Sequence, residues 1–478
     1  MKLVLYGAGK RCKPLCKLLK NLQIEKQEVI IIDANKDKCG ILIEGYLVSS
    51  LDTLLGLNDA LFCITLADQK EVKRIRDHIK NRVGDKVHEV AYNVFIVEAF
   101  KISKLVKQHV MNKKICYNAS PNYLFDCYSG GLCLGGIESW TKDICQALIE
   151  SGNTRTYIVS KNGDYIVPHL LESRILYVDR NDDSWLFENI MSLINLIIEK
   201  LPCKIITSQV SNVLFAAGVV KHYFPDLIEV ISVIHGGHKQ IYSSYLETSK
   251  YTDAYVGVSQ DIRNEMIERG ISPSRIYAMT CPFPCEKDLE RKYTVGDNEA
   301  ICIGYAGRMD GFEHSQKRMD VLLKLIKELD ARNINFSVKL AGDGPARSQM
   351  ECYIHENALE SRVVFLGTID RKEIPNFWRR QDICVNAADY EGRSISIIEA
   401  MGNGAVPIVT MVSGTKEDII DDENGYLIPL EDYKAMADKI EYLARNRDRL
   451  PTMGKKAHDI VYPKSLMSEH LKFWNTIL

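Results

Sequence analysis

Short apolar runs alternate with longer amphipathic stretches along most of this chain, and that alternation constrains the fold more than any other feature. Strands buried on both faces read as continuous apolar runs, and parallel sheets covered by helices need such strands. "KLVLYG", "EVIIID" and "ALFCITL" make one series near the start. A second begins at "KICYNAS", Lys114 to Ser120, and continues through "RTYIVS", "KIITS", "EVISVIHGG" and "AYVGVS". A third begins at "AICIGYAGR", Ala300 to Arg308, and continues with "SVKLAGDG", "RVVFLG", "ICVNA" and "AVPIVT". Polar seams separate the series: "KQHVMNKK" near residue 110 and "CEKDLERKYTVGDNEA" from Cys285 to Ala300. The pattern predicts an α/β chain of three doubly wound, Rossmann-like units spanning 1–110, 111–285 and 286–478. The amphipathic end, within 464–478, reads as a closing helix that packs back on the middle unit.

With 478 residues the chain exceeds a single core. Lys plus Arg number 61 and Asp plus Glu 63, for a formal net charge of -2, so no global field draws the chain to nucleic acid. The 14 cysteines are scattered through apolar segments, the pattern of reduced thiols and not of a secreted disulfide scaffold. A start in strand and turn, with no apolar run of about 18 residues, predicts a cytoplasmic protein. Cys281 and Cys285 lie beside two prolines and read as structural; no metal and no cofactor is predicted.

The third series carries chemistry at its strand ends, where ligands of parallel sheets collect. Gly307 and Arg308 end one strand, and Lys317 precedes a long helix. Arg308 supplies a fork of donors and Lys317 a point charge, a pair suited to a diphosphate or, equally, to two solvated loop cations. "DYEGRSISIIEAMGNG" is a turn followed by a helix. The backbone N–H groups of Gly392, Arg393, Ser394 and Ile395 stand at that helix N-terminus, which favours an anion. Glu391 can accept from neutral hydroxyls, and Glu399, two turns in, can take a vicinal diol; a dipole-serving glutamate and a backbone-satisfied one is the alternative. In the middle unit Gly135 and Gly136 open a helix, and His235 ends an apolar strand ahead of two glycines.

Taken in order, "GGIESWTKDICQALIESG", "DAYVGVSQDIRNEM", "YAGRMD…QKRMDVLLKLI", "LAGDGP", the Glu391 and Glu399 pair, and "VSGTKEDIIDDENGYLIPLED" resemble a retaining glycosyltransferase of family four, that is, glycosyltransferases group 1. The resemblance implies the GT-B fold, two Rossmann-like domains facing a cleft, with the acceptor on the middle unit and a nucleoside diphosphate sugar on the last. It implies that Arg308 and Lys317 hold the diphosphate and Glu399 the ribose. Glu391 would address the sugar hydroxyls, with Gly307, Gly392, Arg393, Ser394 and Ile395 around them, His235 approaching from the other side and Gly136 near the phosphate. No protein nucleophile and no metal is implied. The chain departs from the family at Arg393 and Ser394, where an aromatic or another glycine is common, and at "CPFP", Cys281 to Pro284.

At the front, "MKLVLYGAGKRCKPLCKLLK" and "EVIIIDANKDKCG" read as strand, glycine turn, helix, strand and acid. Gly7, Gly9, Lys10 and Asp33 are the candidate nucleotide site, although Cys12 replaces the third fingerprint glycine. The unit resembles the nucleotide-sugar-binding domains of sialic-acid and bacillosamine type sugar acyltransferases, which implies binding, regulation or assembly.

The expected activity is transfer of a hexose or N-acetylhexosamine from a UDP-type donor to a glycan, lipid-linked glycan or other surface polymer, with retention. A nucleotide-sugar epimerase and a catalytically silent sugar-nucleotide sensor are the alternatives. Peripheral contact with the inner membrane face through "KRCKPLCKLLK" stands against packing of that stretch as a first Rossmann helix. A homo-oligomer is left open.

Overall fold

The computed structural model describes every residue except 1, 10, 58, 67–68, 84–86, 118, 128–135, 162–168, 179–184 and 297–298. The chain divides into two compact units, one of residues 1–141, 152–232 and 243–254 and one of residues 142–151, 233–242 and 255–478.

The front sheet is built from β1 (Lys2–Tyr6), β2 (Val29–Ile32), β3 (Leu42–Ile43), β4 (Tyr46–Ser49), β5 (Ala60–Ile64) and β6 (Val87–Glu89). Its order is β3-β4-β2-β1-β5-β6, parallel except for the β3–β4 hairpin. Strand order reverses between β1 and β5, so the turn after β1 lies at the topological switch point. Gly7 sits in that turn with φ +96, a conformation that favours glycine. The basic stretch that follows forms the helix Cys12–Asn21, whose Cys12, Leu15, Cys16, Leu18 and Leu19 are buried. Its apolar side is thus committed to the sheet.

A second sheet contains β7 (Asn122–Asp126), β8 (Thr156–Lys161), β9 (Ile175–Val178), β10 (Cys203–Thr207), β11 (Ile228–Ile234), β12 (Ala254–Gly257) and β13 (Ile276–Ala278). Its order is β13-β12-β11-β10-β7-β8-β9. The opening strand is Asn122–Asp126 and not Lys114–Ser120: Lys114 to Cys116 lie outside any strand. The apolar triplet there is too short before the turn residues and Pro121, whereas Leu124 and Phe125 of β7 reach the core.

In the first unit one apolar core runs from Leu3, Leu15 and Phe95 to Leu124, Ile205 and Phe215. The helix Tyr92–Ile102 explains this continuity, because Val94 to Phe100 are all buried and a helix apolar around its circumference must be covered on every side. The helix Asn212–Tyr223 packs on it, and Gly218 allows the approach, since a Cβ there would lie 3.0 Å from the Tyr251 ring and 3.3 Å from Val97. The one acid in that buried stretch, Glu98, accepts from Lys101 at 3.0 Å, Lys250 at 2.7 Å and the Tyr251 hydroxyl at 2.9 Å. Burial works to raise its pKa, but these donors outweigh it and hold the carboxyl below its usual range.

The third sheet, wholly in the second unit, contains β14 (Ile301–Ala306), β15 (Phe336–Ala341), β16 (Val363–Gly367), β17 (Ile383–Asn386), β18 (Val406–Thr410) and β19 (Tyr426–Ile428). Its order is β16-β15-β14-β17-β18-β19, parallel throughout. Chain order reverses between β14 and β17, which makes the turns after those two strands the expected ligand site. The closing helix Met467–Ile477 buries Trp474 and sets Phe473 edge-on to Tyr277 of β13, ring centroids 6.2 Å apart. No helix among the described residues is long and apolar enough to cross a membrane.

Candidate functional site

The turns after β14, β15 and β17 are stacked backbone on backbone. A Cβ on Gly342, φ +131, would overlap the Gly307 carbonyl oxygen, and one on Gly344 would overlap that of Met309. Hydrogen bonds run between the same turns, from the Gly307 N–H to Ala341 O at 3.0 Å and from the Met309 N–H to Asp343 O at 2.9 Å. The Glu391 carbonyl accepts from the Gly237 N–H at 3.1 Å, and a Cβ on Gly392 would overlap the His235 carbonyl oxygen. His238 and Tyr390 stack with ring centroids 4.7 Å apart. Thus the double glycine after His235 and the glycine after Glu391 make one close crossing of backbones.

Onto that frame the structure brings four of the expected side chains. Lys317 forms a buried ion pair with Glu391. Gln316 donates to the other Glu391 oxygen at 3.3 Å and accepts from Arg308 at 2.9 Å. Arg308 is otherwise open to solvent, with 62% of its side chain exposed and Asp310 at 3.7 Å. His235 closes β11, and the enclosure of its ring pushes the imidazole down to about 3, leaving it neutral.

Ser394 precedes the helix Ile395–Gly402 without a capping side chain, and no acid occupies the first turn, so the positive end of the dipole is not cancelled locally. Glu399 is buried in this helix. Burial pushes its carboxyl up to about 7; the Arg371 guanidinium pulls the other way and the Asp143 carboxylate adds to the rise. Arg371 and Asp143 are themselves ion-paired. Arg393 turns its guanidinium to Glu417, at 3.2 Å, and to Asp418.

Sequence reasoning missed several of these partners. Gln316 is adjacent to Lys317 and could have been noted as a turn residue with both a donor and an acceptor. Arg318, which pairs with Asp320 and Asp389 at 3.0 Å and with Glu431 at 2.5 Å, takes a left-handed backbone that nothing in its identity announces.

Gly136 opens the helix Gly136–Glu150 and is exposed; it belongs to the first unit, and its neighbour Gly135 lies outside the described residues. In the front sheet Asp33 accepts from the Ala8 N–H and the Asn35 N–H, both at 2.8 Å, and from Lys38 at 3.1 Å. Burial acts to raise its pKa, yet these donors hold the carboxyl below its usual range. Gly9 has open space where a Cβ would stand, and Lys10 lies outside the described residues.

Residues 288–460 match the family model described as "Glycosyl transferases group 1". The chain is 23% identical over 279 residues to the N-acetyl-alpha-D-glucosaminyl L-malate synthase of Bacillus anthracis, covering 55% of this chain and 70% of that protein. It is 28% identical over 175 residues to the poly(ribitol-phosphate) alpha-N-acetylglucosaminyltransferase of Staphylococcus aureus, covering 36% of this chain but only 34% of that one. Its fold is similar to that of Anabaena HepE, solved in complex with UDP and glucose, with TM-score 0.61 and 15% identity, over 75% of this chain and 99% of that one. The chain therefore has a GT-B fold, and its residues 288–460 match the model of the group 1 glycosyl transferases.

Proposed function

We propose that this protein is a glycosyltransferase that moves a hexose or N-acetylhexosamine from a UDP-sugar to a glycan or related polymer with retention of anomeric configuration. The observation that carries the reading is the meeting of Arg308, Gln316, Lys317 and Glu391 at the β14/β17 switch point, beside an uncapped helix N-terminus, inside the segment matched by the family model. Two N-acetylglucosaminyl-transferring relatives and a UDP-bound structural neighbour support the donor class.

In this reading Arg308 and Lys317 bind the diphosphate and offset the charge that grows on it as the bond from the anomeric carbon breaks. The electron pair leaves with the nucleoside diphosphate, the acceptor oxygen bonds to the carbon on the same face, and its proton passes to the departing phosphate. The phosphate would draw Lys317 away from Glu391, freeing that carboxylate for the sugar hydroxyls. The backbone of Gly392, Arg393, Ser394 and Ile395 lines the anion, Glu399 takes the ribose diol, and neutral His235 faces the sugar. Catalysis needs no metal in this scheme, because two cations and a helix end already meet the diphosphate. The domains follow as 1–110 accessory, 111–285 acceptor-side and 286–478 donor-side. Gly7, Gly9, Lys10 and Asp33 mark the accessory nucleotide site.

Incubation of the purified chain with a panel of nucleotide sugars and candidate acceptors, read by mass spectrometry, tests this. Release of UDP with sugar transfer, lost in Lys317→Ala and Glu399→Ala, is the expected result. Sugar interconversion without nucleotide release would make the protein an epimerase, and binding without turnover would make it a sensor.

A further inference from the structure

We infer that Arg393 is a positioning residue for the donor loop, tying Glu391 to Ile395 to the junction of the last two helices through Asp418. The inference rests on the proposed donor site and assigns a role to a side chain that touches none of the proposed donor groups.

Arg393 stands between Gly392 and Ser394, in the loop that presents Glu391 and the start of the helix Ile395–Gly402, yet its guanidinium is buried away from them. Its side chain is 5% exposed, and Asp418, to which it is ion-paired, is 2% exposed. A second nitrogen reaches Glu417 at 3.2 Å. Each acid has a further partner: Glu417 accepts from the Asp261 N–H at 2.8 Å, in the first turn of the helix Gln260–Glu268, and Asp418 accepts from Lys464 at 2.6 Å. Lys464 lies in the last turn of the helix Arg449–Ser465, just before the closing helix, and its carbonyl accepts from buried His470 at 3.0 Å. The acids hold their own place as well, since Gly414 just before them, φ +79, leaves room for the Gly392 carbonyl oxygen, 2.5 Å from where a Cβ would stand.

A buried guanidinium with two carboxylate partners is a rigid strut, because removing any member strands a charge away from water. Only one end of this strut is on the donor loop. The other is fixed by two helices, so the strut sets where the loop stands and not which sugar it accepts. Asp418 answers two cations at once, which makes Lys464 the second half of the same device.

The test measures the Kd for UDP by calorimetry and KM and kcat for the donor sugar, with a melting curve for each full-length variant. Arg393→Met should raise the UDP Kd and donor KM by about tenfold, the effect of an unfixed loop, with a smaller change in kcat. Arg393→Lys should recover part of that loss. Lys464→Met should raise KM by about threefold, and its effect should vanish when Arg393 is already Met, as coupled positions require. Arg393→Met with Asp418→Asn removes the two most buried charges together, leaving only the more exposed Glu417 and Lys464 without these partners, if the single variant fails to fold; a KM raised about tenfold in this pair has the same meaning. Unchanged Kd and KM with only a lowered melting temperature would overturn the proposal, and so would a change in sugar preference at unchanged UDP affinity. UDP binding that is lost in Lys317→Ala but untouched in the Arg393 and Lys464 variants sinks the strut alone. UDP binding that is indifferent to Lys317→Ala sinks the donor site and the strut with it.

Discussion

The front glycine turn and the donor-side glycine turns follow one design, strand, glycine, helix and acid, but they are satisfied in opposite ways. In the front unit the acid is fully occupied within its own unit: Asp33 accepts from Ala8, Asn35 and Lys38. The glycines there crowd no backbone, since the Cβ position of Gly9 is open and a Cβ on Gly7 would meet only side-chain atoms of Leu66 and Thr65, at 2.9 Å and beyond. On the donor side Gly342, Gly344 and Gly392 meet backbone carbonyls, which cannot yield, and Glu399 is buried among charges with its carboxyl pushed up to about 7. Asp33 is thus tied into its own loop as Glu391 is tied to Lys317 and Gln316, and Glu399 alone among these acids is held with a raised pKa, which suits the ligand role proposed for it.

The comparison breaks most directly at Gly392. Alanine there would overlap the His235 carbonyl oxygen, and relief requires moving one of two crossing backbones, so Gly392→Ala should destabilise by on the order of 4 kcal/mol and abolish donor binding. Urea unfolding measures it; a loss below about 1 kcal/mol would mean that the crossing is soft.

Next is the cost stored at Glu399. A carboxyl at about 7 in the folded chain, against roughly 4.3 when unfolded, subtracts stability as pH rises from 4.3 to 7 and stays subtracted above. Glu399→Gln should therefore stabilise the ligand-free chain by on the order of 3 kcal/mol at pH 8, have little effect at pH 4, and lose nucleotide affinity. Equal stability of both proteins at pH 8 would show that Glu399 is well solvated or paired.

Asp33 gives the opposite sign. Its depressed folded pKa contributes stability above the unfolded value of about 3.9, lost as pH falls through the lower folded value. Asp33→Asn should cost about 1–2 kcal/mol at pH 7, less as pH falls below that window, and leave UDP affinity at the donor site unchanged. Thermal unfolding across pH 2 to 7 reads the trend, and a stabilising Asp33→Asn would place the front turn with the donor turns.

Sequence legibility follows the same division. The strands of the third sheet were readable because parallel strands are apolar on both faces, and the turns after β14 and β17 were readable because glycine, arginine and lysine cluster there. What could not be read was pairing across sequence distance. Asp143 and Arg371, 228 positions apart, meet only through the fold. Arg393 looked like a sugar reader because of its neighbours, and only burial against Glu417 and Asp418 shows where its charge goes. In the second sheet the series was begun at "KICYNAS", since no local signal told that Asp126 would be buried and would accept from Ser211 at 2.7 Å.

The smallest expected effect sharpens the comparison most economically, at Gly9. Its backbone is not among the positive-φ glycines and nothing lies within 4 Å of the Cβ position, so neither strain nor a clash opposes a methyl group. Alanine restricts the unfolded chain more than the folded one, and Gly9→Ala should change stability by no more than about 0.5–1 kcal/mol, in the stabilising direction. Gly7→Ala, two residues away at φ +96, should destabilise by about 1–2 kcal/mol. If both are neutral, the front turn is held by Asp33 alone; if Gly9→Ala is as damaging as Gly392→Ala, the space beside Gly9 is occupied in solution, and the front turn binds a ligand as the donor turns are proposed to do.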